Sequence, residues 1–170
     1  MVTAAREVTP DNLRHVMRHL PTGVAVVTAT GADGPLGLAV GSFVSVSLEP
    51  PLVGFFVART STTWPRIDPL GRFCVNVLGE DGEGTSRAFA VSGGDKFGGV
   101  GWSSSPLGSP VLDGALAWFD CTTHSVVDAG DHVLVLAEVH ELAVADTGRP
   151  LIFCHGTYQR LGPHPGSSRF

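Results

Sequence analysis

Seven short apolar runs, each bounded by glycine, proline or aspartate, constrain the fold of this 170-residue chain more than any other feature. Alternating or continuous apolar runs with such boundaries are typical of β-strands. We therefore predict a mainly β, mostly antiparallel fold, closed into a barrel because so many short strands would otherwise leave unprotected edges. The runs cover residues 23–30, 35–40, 43–48, 52–58, 72–79, 116–127 and 131–144.

Three other segments carry helical patterns. The first, residues 10–20, begins where Thr9 or Asp11 can cap the opening turn. The other two are residues 61–70 and 80–92. In the first segment, apolar side chains recur on one face at Leu13, Val16, Met17 and Leu20.

Length favours one domain over residues 1–170, with its core at about residues 10–161. Residues 93–109 are rich in glycine and serine and predict a loop. No internal repeat divides the chain.

Composition excludes several classes of function. A net charge of -5 with eleven scattered Lys and Arg residues argues against a nucleic-acid interface. A hydrophobic content of 43% predicts apolar surface hidden in a homodimer. The sequence has no apolar run of the ~20 residues that a membrane helix needs and no signal-peptide pattern at its N-terminus, so we expect a cytoplasmic protein.

Cysteine and histidine spacing predicts no metal site. Cys74, Cys121 and Cys154 are widely separated and contain no C-x-x-C pair, so we expect buried, reduced thiols. His15 and His19 form an i, i+4 pair without a visible third ligand, which favours a solvated helix face.

Residues 43–48 alternate between two kinds of side chain. Val44, Val46 and Leu48 are predicted to face the core, opposite Phe43, Ser45 and Ser47. Small hydroxyls beside backbone amides suit a flat polar heterocycle. An ordinary solvent-facing strand explains the same pattern.

Residues 58–65 predict the end of a strand followed by a helix start with proline in its first turn. Arg59 and the hydroxyls of Ser61, Thr62 and Thr63 at such a helix start make a candidate phosphate site. Plain helix capping beside a solvated arginine is the alternative.

Two further segments offer single candidate residues. Residues 93–99 match neither phosphate-binding glycine motif, but Lys96 and Phe97 can supply a cation and an aromatic ring; a flexible loop is the alternative. His132 follows Asp131 at a turn and can project from the mouth of the barrel toward a cofactor, or be merely exposed.

Taken in order, these segments resemble the flavin reductase-like family of FMN-binding split barrels, the reductase components of two-component flavin-dependent monooxygenases. Each motif is weak alone, but their order and spacing are specific for the family. The matching residues are 21–29, 42–53, 58–67, 72–78, 95–97, 130–139 and 150–161.

The resemblance implies a Greek-key antiparallel split barrel with a few short helices, assembled as a homodimer with flavin near the subunit interface. It implies that residues similar to 38–47 line the isoalloxazine ring and that those from Arg59 to Thr63 hold the ribityl chain and phosphate. His132, the catalytic candidate, and Tyr158 would lie where the nicotinamide folds over the ring. The implied cofactor-binding residues are Ala39, Val40, Gly41, Ser42, Ser45, Val46, Ser47, Arg59, Ser61, Thr62, Thr63, Asn76, Lys96, Phe97, His132 and Tyr158.

The sequence departs from the family pattern at Ala39 and Gly41, where members commonly have Thr and Asn. Two polar side-chain contacts to flavin are therefore missing, and backbone N–H groups would replace them. This departure favours flavin that binds and leaves as a substrate.

The implied activity is NAD(P)H:flavin oxidoreduction, with FAD or FMN reduced by NADH or NADPH and passed to a partner monooxygenase. Hydride transfer needs alignment of two cofactors and no protein nucleophile. The alternatives are a non-catalytic flavin carrier of the same fold, a split-barrel oxidase acting on a pyridoxine-type phosphate, and a small-molecule-binding barrel without flavin.

Overall fold

The computed structural model describes residues 5–162. Residues 1–4 and 163–170 of the predicted domain lie outside the described residues. The described chain is mainly β, as predicted, with a few short helices.

The first helix, α1, spans Pro10–Met17 and is shorter than the predicted segment 10–20. Thr9 is its cap, since Thr9 Oγ1 accepts a hydrogen bond from the backbone N–H of Asn12 at 3.2 Å. None of its residues is buried. Its apolar face, formed by Leu13, Val16 and Met17, is therefore uncovered on a single chain.

A seven-stranded antiparallel sheet forms the body of the protein and confirms the predicted strands. Its strands, in spatial order, are β3 (Gly34–Val40), β2 (Ala25–Gly31), β6 (Arg72–Leu78), β9 (Ala115–Ala129), β10 (His132–Val144), β5 (Pro51–Ala58) and β4 (Val44–Leu48). Every neighbouring pair is antiparallel.

Within the described residues the hydrogen-bonded ladder is open, with β3 and β4 at its two edges, so the prediction of a closed barrel was wrong. The chain bridges this seam with a side chain. Ser42 Oγ accepts the backbone N–H of Phe56 on β5 at 2.9 Å, at a point that β4 does not reach. This bond holds the residue after the edge strand β3 against β5 without strand pairing, as in a split barrel.

Two smaller sheets flank the body. One contains β1 (Thr22–Gly23), β11 (Ile152–Cys154) and β12 (Thr157–Gln159). The other pairs β7 (Trp102–Ser104) with β8 (Pro110–Leu112), so the segment 93–109 that we predicted as loop contains a short strand.

Both remaining helical predictions are confirmed over shorter ranges. Helix α2 is the single turn Trp64–Ile67, continued by a 3-10 turn at Asp68–Leu70. Helix α3 spans Glu83–Ala90. Phe89 of α3 is 1% exposed and packs directly on Gly37 of β3, where a Cβ atom would overlap its ring. Glycine at this position therefore lets α3 pack closely on one face of β3.

The prediction that Val44, Val46 and Leu48 face the core was wrong. Their side chains are 51%, 47% and 90% exposed, and a register irregularity between Ser45 and Ser47 interrupts the simple alternation. Phe43, from the opposite set, packs against the core with its ring 5.2 Å from that of Phe119. Phe43 and Val44 both precede the irregularity, so alternation separates the two faces of β4 correctly there but does not say which face packs inward.

Candidate functional site

A cavity of about 430 Å³ opens at the seam beside the carboxyl end of β3. Four walls surround it: the end of β3, the end of β5 with the segment that follows, the end of α3, and the side chains of Lys96 and His132. The lining residues are 38–42, 56–58, 60–63, 89–92, Lys96 and His132. Its volume lies in the range of about 300–1,000 Å³ that is typical of small-molecule sites.

The β3 wall contains four predicted residues, Ala39, Val40, Gly41 and Ser42, all of which line the cavity. This strand is a sheet edge, so the backbone groups on its free side have no strand partner. Small side chains leave room for a flat ring against this backbone, and the Ser42 hydroxyl is engaged with Phe56. This wall therefore offers backbone N–H donors and enough space for a flat ring.

Residues 60–63 bring four consecutive hydroxyls to a second wall. Two are engaged: Ser61 Oγ accepts the N–H of Trp64 at 3.1 Å, and Thr63 Oγ1 accepts from Lys96 at 3.3 Å. Those of Thr60 and Thr62 have no hydrogen-bond partner within residues 5–162. Because α2 is a single turn, free hydroxyls and not a helix dipole are the donors of this wall.

Arg59, predicted beside these hydroxyls, lies outside the cavity lining. Its Nε donates to the carbonyl of Gly130 at 3.0 Å, and its guanidinium pairs with the Asp128 carboxylate. The side chain therefore ties the end of β5 to the β9–β10 turn. Its side chain does not line the cavity, although its backbone N–H bonds the carbonyl of Asp131, next to His132, at 3.0 Å.

Lys96 reaches the cavity and also bridges its walls. Its Nζ donates to the carbonyl of Gly37 at 3.1 Å, to Thr63 Oγ1 at 3.3 Å and to the carbonyl of Phe89 at 3.4 Å. Burial lowers the pKa of this ammonium. All three ammonium protons are thus used by the protein, and what remains for a ligand is the positive charge.

Phe97 does not present its ring face to the main cavity. Its ring packs edge-on against Phe89, with centroids 4.9 Å apart, and against Trp102 at 6.3 Å. Phe97 therefore anchors the loop that carries Lys96. It lines a neighbouring cavity instead of the main one.

His132 lines the main cavity and is oriented by its neighbour. Its Nδ1 lies 2.7 Å from Asp131 Oδ1, and this hydrogen bond is the main cause that lowers the pKa of the Asp131 carboxyl. Since an ionised carboxylate only accepts hydrogen bonds, Nδ1 carries the proton. The other ring nitrogen, Nε2, is left available to a ligand.

Asn76 lies in the interior, fully buried, and away from the cavity. Its Nδ2 donates to Thr28 Oγ1 at 3.0 Å and to the carbonyls of Val26 and Pro110, while its Oδ1 accepts the N–H of Leu112 at 2.8 Å. Every hydrogen-bonding group of the amide is therefore occupied by protein, and we leave Asn76 out of the candidate site.

Four other predicted residues lie apart from the main cavity on a single chain. Ser45, Val46 and Ser47 of β4 do not line it. Tyr158 lines a smaller adjoining cavity of about 150 Å³ that shares Ala39, Val40 and Gly41 with the main one. Its hydroxyl hydrogen-bonds Ser86 Oγ at 2.8 Å.

Sequence reasoning missed one wall altogether, residues 89–92 at the end of α3. The signal was a helical pattern running directly into Gly93, which marks a helix end. The pattern does not predict which strand the end of this helix packs against. In the structure, the contact of Phe89 with Gly37 places it on β3.

The charge of the cavity differs from that of the whole chain. The protein has 16 Asp and Glu residues against 11 Lys and Arg, yet none of the described residues lining the main cavity is acidic. Hydroxyls, backbone amides, one ammonium and one imidazole face it instead. Such a set of donors favours an anionic ligand rich in acceptors.

The cysteines offer no alternative chemistry at this site. Cys74 and Cys121 are fully buried; burial raises the pKa of the Cys74 thiol far above its usual value and that of Cys121 to about 12. Such thiols are poor nucleophiles. In the part of the chain that is described, no three His, Cys, Asp or Glu side chains lie in an arrangement that could hold a metal ion.

Comparisons with known proteins agree on one family. The family described as flavin reductase like domain matches residues 17–162. A flavin reductase from Pseudomonas putida is 48% identical over 150 residues, covering 88% of each chain. The reductase subunit HsaB of a flavin-dependent monooxygenase from Rhodococcus jostii (strain RHA1) is 42% identical, covering 94% of this chain and 82% of that protein.

A solved structure shares the fold closely. The NADH:FAD oxidoreductase SgcE6 of Streptomyces globisporus C-1027, in complex with NAD and FAD fragments, superposes with a TM-score of 0.89 at 35% identity. The match covers 95% of this chain and 100% of that one.

Proposed function

This chain belongs to the flavin reductase-like family, and from that premise we propose that its main cavity binds the flavin that it reduces. The protein is an NAD(P)H-dependent flavin reductase. The observation that carries the assignment of the site is the acid-free, hydroxyl-rich lining of this cavity in an otherwise acidic protein.

The donors present fit a flavin nucleotide. The pyrimidine edge of the isoalloxazine ring presents carbonyl and nitrogen acceptors, which the free backbone edge at residues 38–42 can satisfy. The phosphate requires hydroxyl donors and positive charge, which residues 60–63 and Lys96 supply. Ala39 and Gly41 leave space for the ring without adding a side-chain contact.

When both cofactors are bound, hydride passes from the nicotinamide C4 to N5 of the flavin. The chain's part is alignment, which can supply roughly 7–11 kcal/mol of the barrier. Backbone donors along β3 stabilise negative charge on the reduced ring. His132, held by Asp131, positions the nicotinamide nucleotide through Nε2.

The proposed flavin-binding set is therefore narrower than the sequence suggested. It keeps the residues that line the main cavity: Ala39, Val40, Gly41, Ser42, Ser61, Thr62, Thr63, Lys96 and His132, with Thr60 added. Tyr158 stays a candidate for the nicotinamide side, because its cavity adjoins the main one. Ser45, Val46 and Ser47 are candidates only through a second subunit.

The test is NADH and NADPH oxidation by purified protein with FAD, with FMN and without flavin. We expect oxidation that depends on added flavin, since the missing side-chain contacts at Ala39 and Gly41 favour flavin that exchanges. Flavin binding without oxidation of either nucleotide would contradict the assignment and indicate a carrier.

The reduced flavin serves a separate monooxygenase, the arrangement of its relatives. Adding a flavin-dependent monooxygenase encoded nearby should convert flavin reduction into substrate hydroxylation. If flavin is reduced but no such monooxygenase hydroxylates its substrate, the result would contradict this role.

We further propose that the protein is a homodimer and that each chain acts as one domain. The support is apolar surface that a single chain leaves uncovered: on α1 Leu13, Val16 and Met17, and on β4 Val44, Val46 and Leu48. Light scattering should give twice the mass of 17.7 kDa. Val46→Glu should produce monomers; a monomeric wild-type protein would overturn the proposal.

We propose a cytoplasmic location, because Cys74 and Cys121 are buried free thiols, which suit a reducing compartment. No helix among residues 5–162 has the length and apolar character to cross a membrane. Cell fractionation with antibody detection tests the location.

A further inference from the structure

Arg59 joins two parts of the main cavity, although its own side chain does not line it. Along the chain it is followed directly by the hydroxyl segment 60–63, which lines the cavity. Across the sheet its backbone bonds the turn between β9 and β10. That turn leads into His132, the first residue of β10. Arg59 therefore connects the wall proposed for the flavin phosphate with the residue proposed for the nicotinamide nucleotide.

Three contacts join Arg59 to this turn. Its backbone N–H donates to the carbonyl of Asp131 at 3.0 Å, beyond the end of the β5–β10 ladder at His132. Its Nε donates to the carbonyl of Gly130, also at 3.0 Å. Its guanidinium pairs with the Asp128 carboxylate through Nη2. Arg59 thus contacts three of the four residues that precede His132.

The turn itself is a tight loop of two residues, Gly130 and Asp131, between the ends of β9 and β10. Gly130 has a φ of 68°, and glycine with a positive φ at the first loop position is typical of such hairpins. Within the described part of the chain, every hydrogen bond from outside the hairpin to these two residues comes from Arg59. The position of the loop relative to the cavity therefore depends on this arginine.

The position of the loop determines the position of the imidazole of His132. The Asp131 carboxylate accepts a hydrogen bond from Nδ1 of that ring at 2.7 Å, which leaves Nε2 available to a ligand in the cavity. A shift of the loop would move the carboxylate that orients the ring. The contact that Nε2 makes with the nicotinamide nucleotide would then weaken.

The ion pair between Arg59 and Asp128 is of a kind that contributes little to stability. The two side chains are 48% and 87% exposed, and exposed pairs add little to the free energy of unfolding. The pair instead holds a planar guanidinium in one orientation, in which Nε reaches the carbonyl of Gly130. These contacts therefore fix geometry more than they stabilise the fold.

The hydroxyl segment has contacts of its own that do not involve Arg59. Ser61 Oγ accepts the N–H of Trp64 at 3.1 Å, and Thr63 Oγ1 accepts from Lys96 at 3.3 Å. These bonds remain when the arginine side chain is removed. Its loss should therefore disturb the loop before His132 and leave the flavin wall in place.

We propose that Arg59 is a positioning residue for the nicotinamide nucleotide: it holds the loop before His132, and through Asp131 the imidazole itself, against the cavity. The inference rests on the proposed function, in which Nε2 of His132 positions that nucleotide. It differs from the role that the family resemblance implies for Arg59, which is a contact with the ribityl chain or phosphate of the flavin. Removal of the side chain should weaken binding of the nicotinamide nucleotide and spare the flavin.

The test combines steady-state kinetics with calorimetric flavin titration for wild type, Arg59→Ala, His132→Ala and the double variant. The kinetics use saturating flavin and whichever of NADH and NADPH wild type oxidises faster. We expect Arg59→Ala to raise the KM for that nucleotide about fivefold, as the loss of one hydrogen bond does. Its kcat and flavin dissociation constant should stay within about twofold of wild type. In the His132→Ala background, Arg59→Ala should raise the KM by less than about twofold, because it acts through His132.

Arg160→Ala is the matched control. Arg160 also forms an exposed ion pair, with Asp81 at 2.8 Å, and it lines neither the main cavity nor the cavity beside Tyr158. Its KM, kcat and flavin dissociation constant should stay within about twofold of wild type.

An unchanged KM in Arg59→Ala would overturn this inference alone, and weaker flavin binding in the same variant would return Arg59 to the flavin phosphate. Additive effects of the two substitutions on KM would contradict action through His132. Parallel loss of kcat, flavin affinity and thermal stability in Arg59→Ala would show a merely structural role. An unchanged KM in His132→Ala would overturn the placement of the nucleotide in the proposed function, and this inference with it.

Discussion

The polar side chains of the barrel interior and those of the main cavity differ in what they bind. In the interior, Asn76 bonds four protein groups, and both carboxylate oxygens of Asp120 are occupied by Ser105 and the N–H of Leu107. In the cavity, the hydroxyls of Thr60 and Thr62 have no such partner within residues 5–162. These interior polar groups hold the fold together, whereas these two cavity hydroxyls are available to a ligand.

This difference separates stability from binding. A buried amide whose partners are all protein cannot be removed without leaving several groups unsatisfied. A solvent-facing hydroxyl can be removed with little effect on folding. Variants of interior polar residues should therefore lose stability and keep flavin affinity, whereas variants of the free cavity hydroxyls should lose flavin affinity and keep stability.

The largest expected effect is on stability, from Asn76→Leu. The change leaves the N–H of Leu112 without its acceptor and Thr28 Oγ1 without its donor, at a cost of about 3 kcal/mol of unfolding free energy. Urea unfolding measures it. Flavin affinity per folded molecule should not change; a stable variant that has lost flavin binding would return Asn76 to the site.

The next effect is on binding, from Thr62→Val. Loss of one hydroxyl donor to a phosphate should raise the flavin dissociation constant about tenfold, with the unfolding free energy within about 0.5 kcal/mol of wild type. Calorimetric titration with FMN, paired with urea unfolding, measures both.

Thr30→Val is the matched control for that variant. Thr30 Oγ1 donates to the carbonyl of Gly108 at 2.8 Å, outside the cavity. It should lose about 1 kcal/mol of stability and bind flavin normally. If the two threonine variants behaved alike, the contrast between the regions would not hold.

Asp131→Asn should affect the nicotinamide nucleotide more than the flavin. Because the hydrogen bond from His132 lowers the pKa of Asp131, the contact is present above the usual aspartate range and is lost only as pH falls through that lowered pKa. At neutral pH the variant should raise the KM for NADH roughly threefold. An unchanged KM with weakened flavin binding would reverse the assignment of this side of the cavity.

The smallest effect is spectroscopic and concerns Lys96, the single lysine of the chain. Selective lysine labelling gives one NMR signal, and we expect a pKa below the ordinary lysine value because of burial. A phosphate bound in the main cavity beside Lys96 should raise that pKa. If flavin left it unchanged, Lys96 would serve only to hold the walls together.

Most of the strands could be predicted from local patterns of apolar residues in the sequence. Strands 72–79 and 131–144 were predictable because apolar runs between glycine and aspartate have few other solutions. Strand β4 was not: alternation does not say which of its two faces packs inward, and Phe43 meets the core whereas Val44 and Val46 are exposed. The closed barrel was not found because β3 and β4 form no ladder with each other; the contact described at this seam is the bond between Ser42 and Phe56 of β5.

The site was predictable only in part, for a physical reason. Segments rich in small and hydroxyl residues, such as 39–42 and 61–63, do line the cavity. Arg59 and Asn76 have side chains suited to a ligand, but both bind protein groups. Arg59 pairs with Asp128, and Asn76 donates a hydrogen bond to Thr28. Whether a polar group is satisfied by protein depends on contacts between distant segments, which spacing along the chain does not record.

A crystal structure of the protein with bound FMN tests the central claim most directly. The account predicts the isoalloxazine ring against residues 38–42 and the phosphate within hydrogen-bonding distance of the Thr60 and Thr62 hydroxyls. A flavin bound elsewhere, with those two hydroxyls facing only solvent, would contradict it.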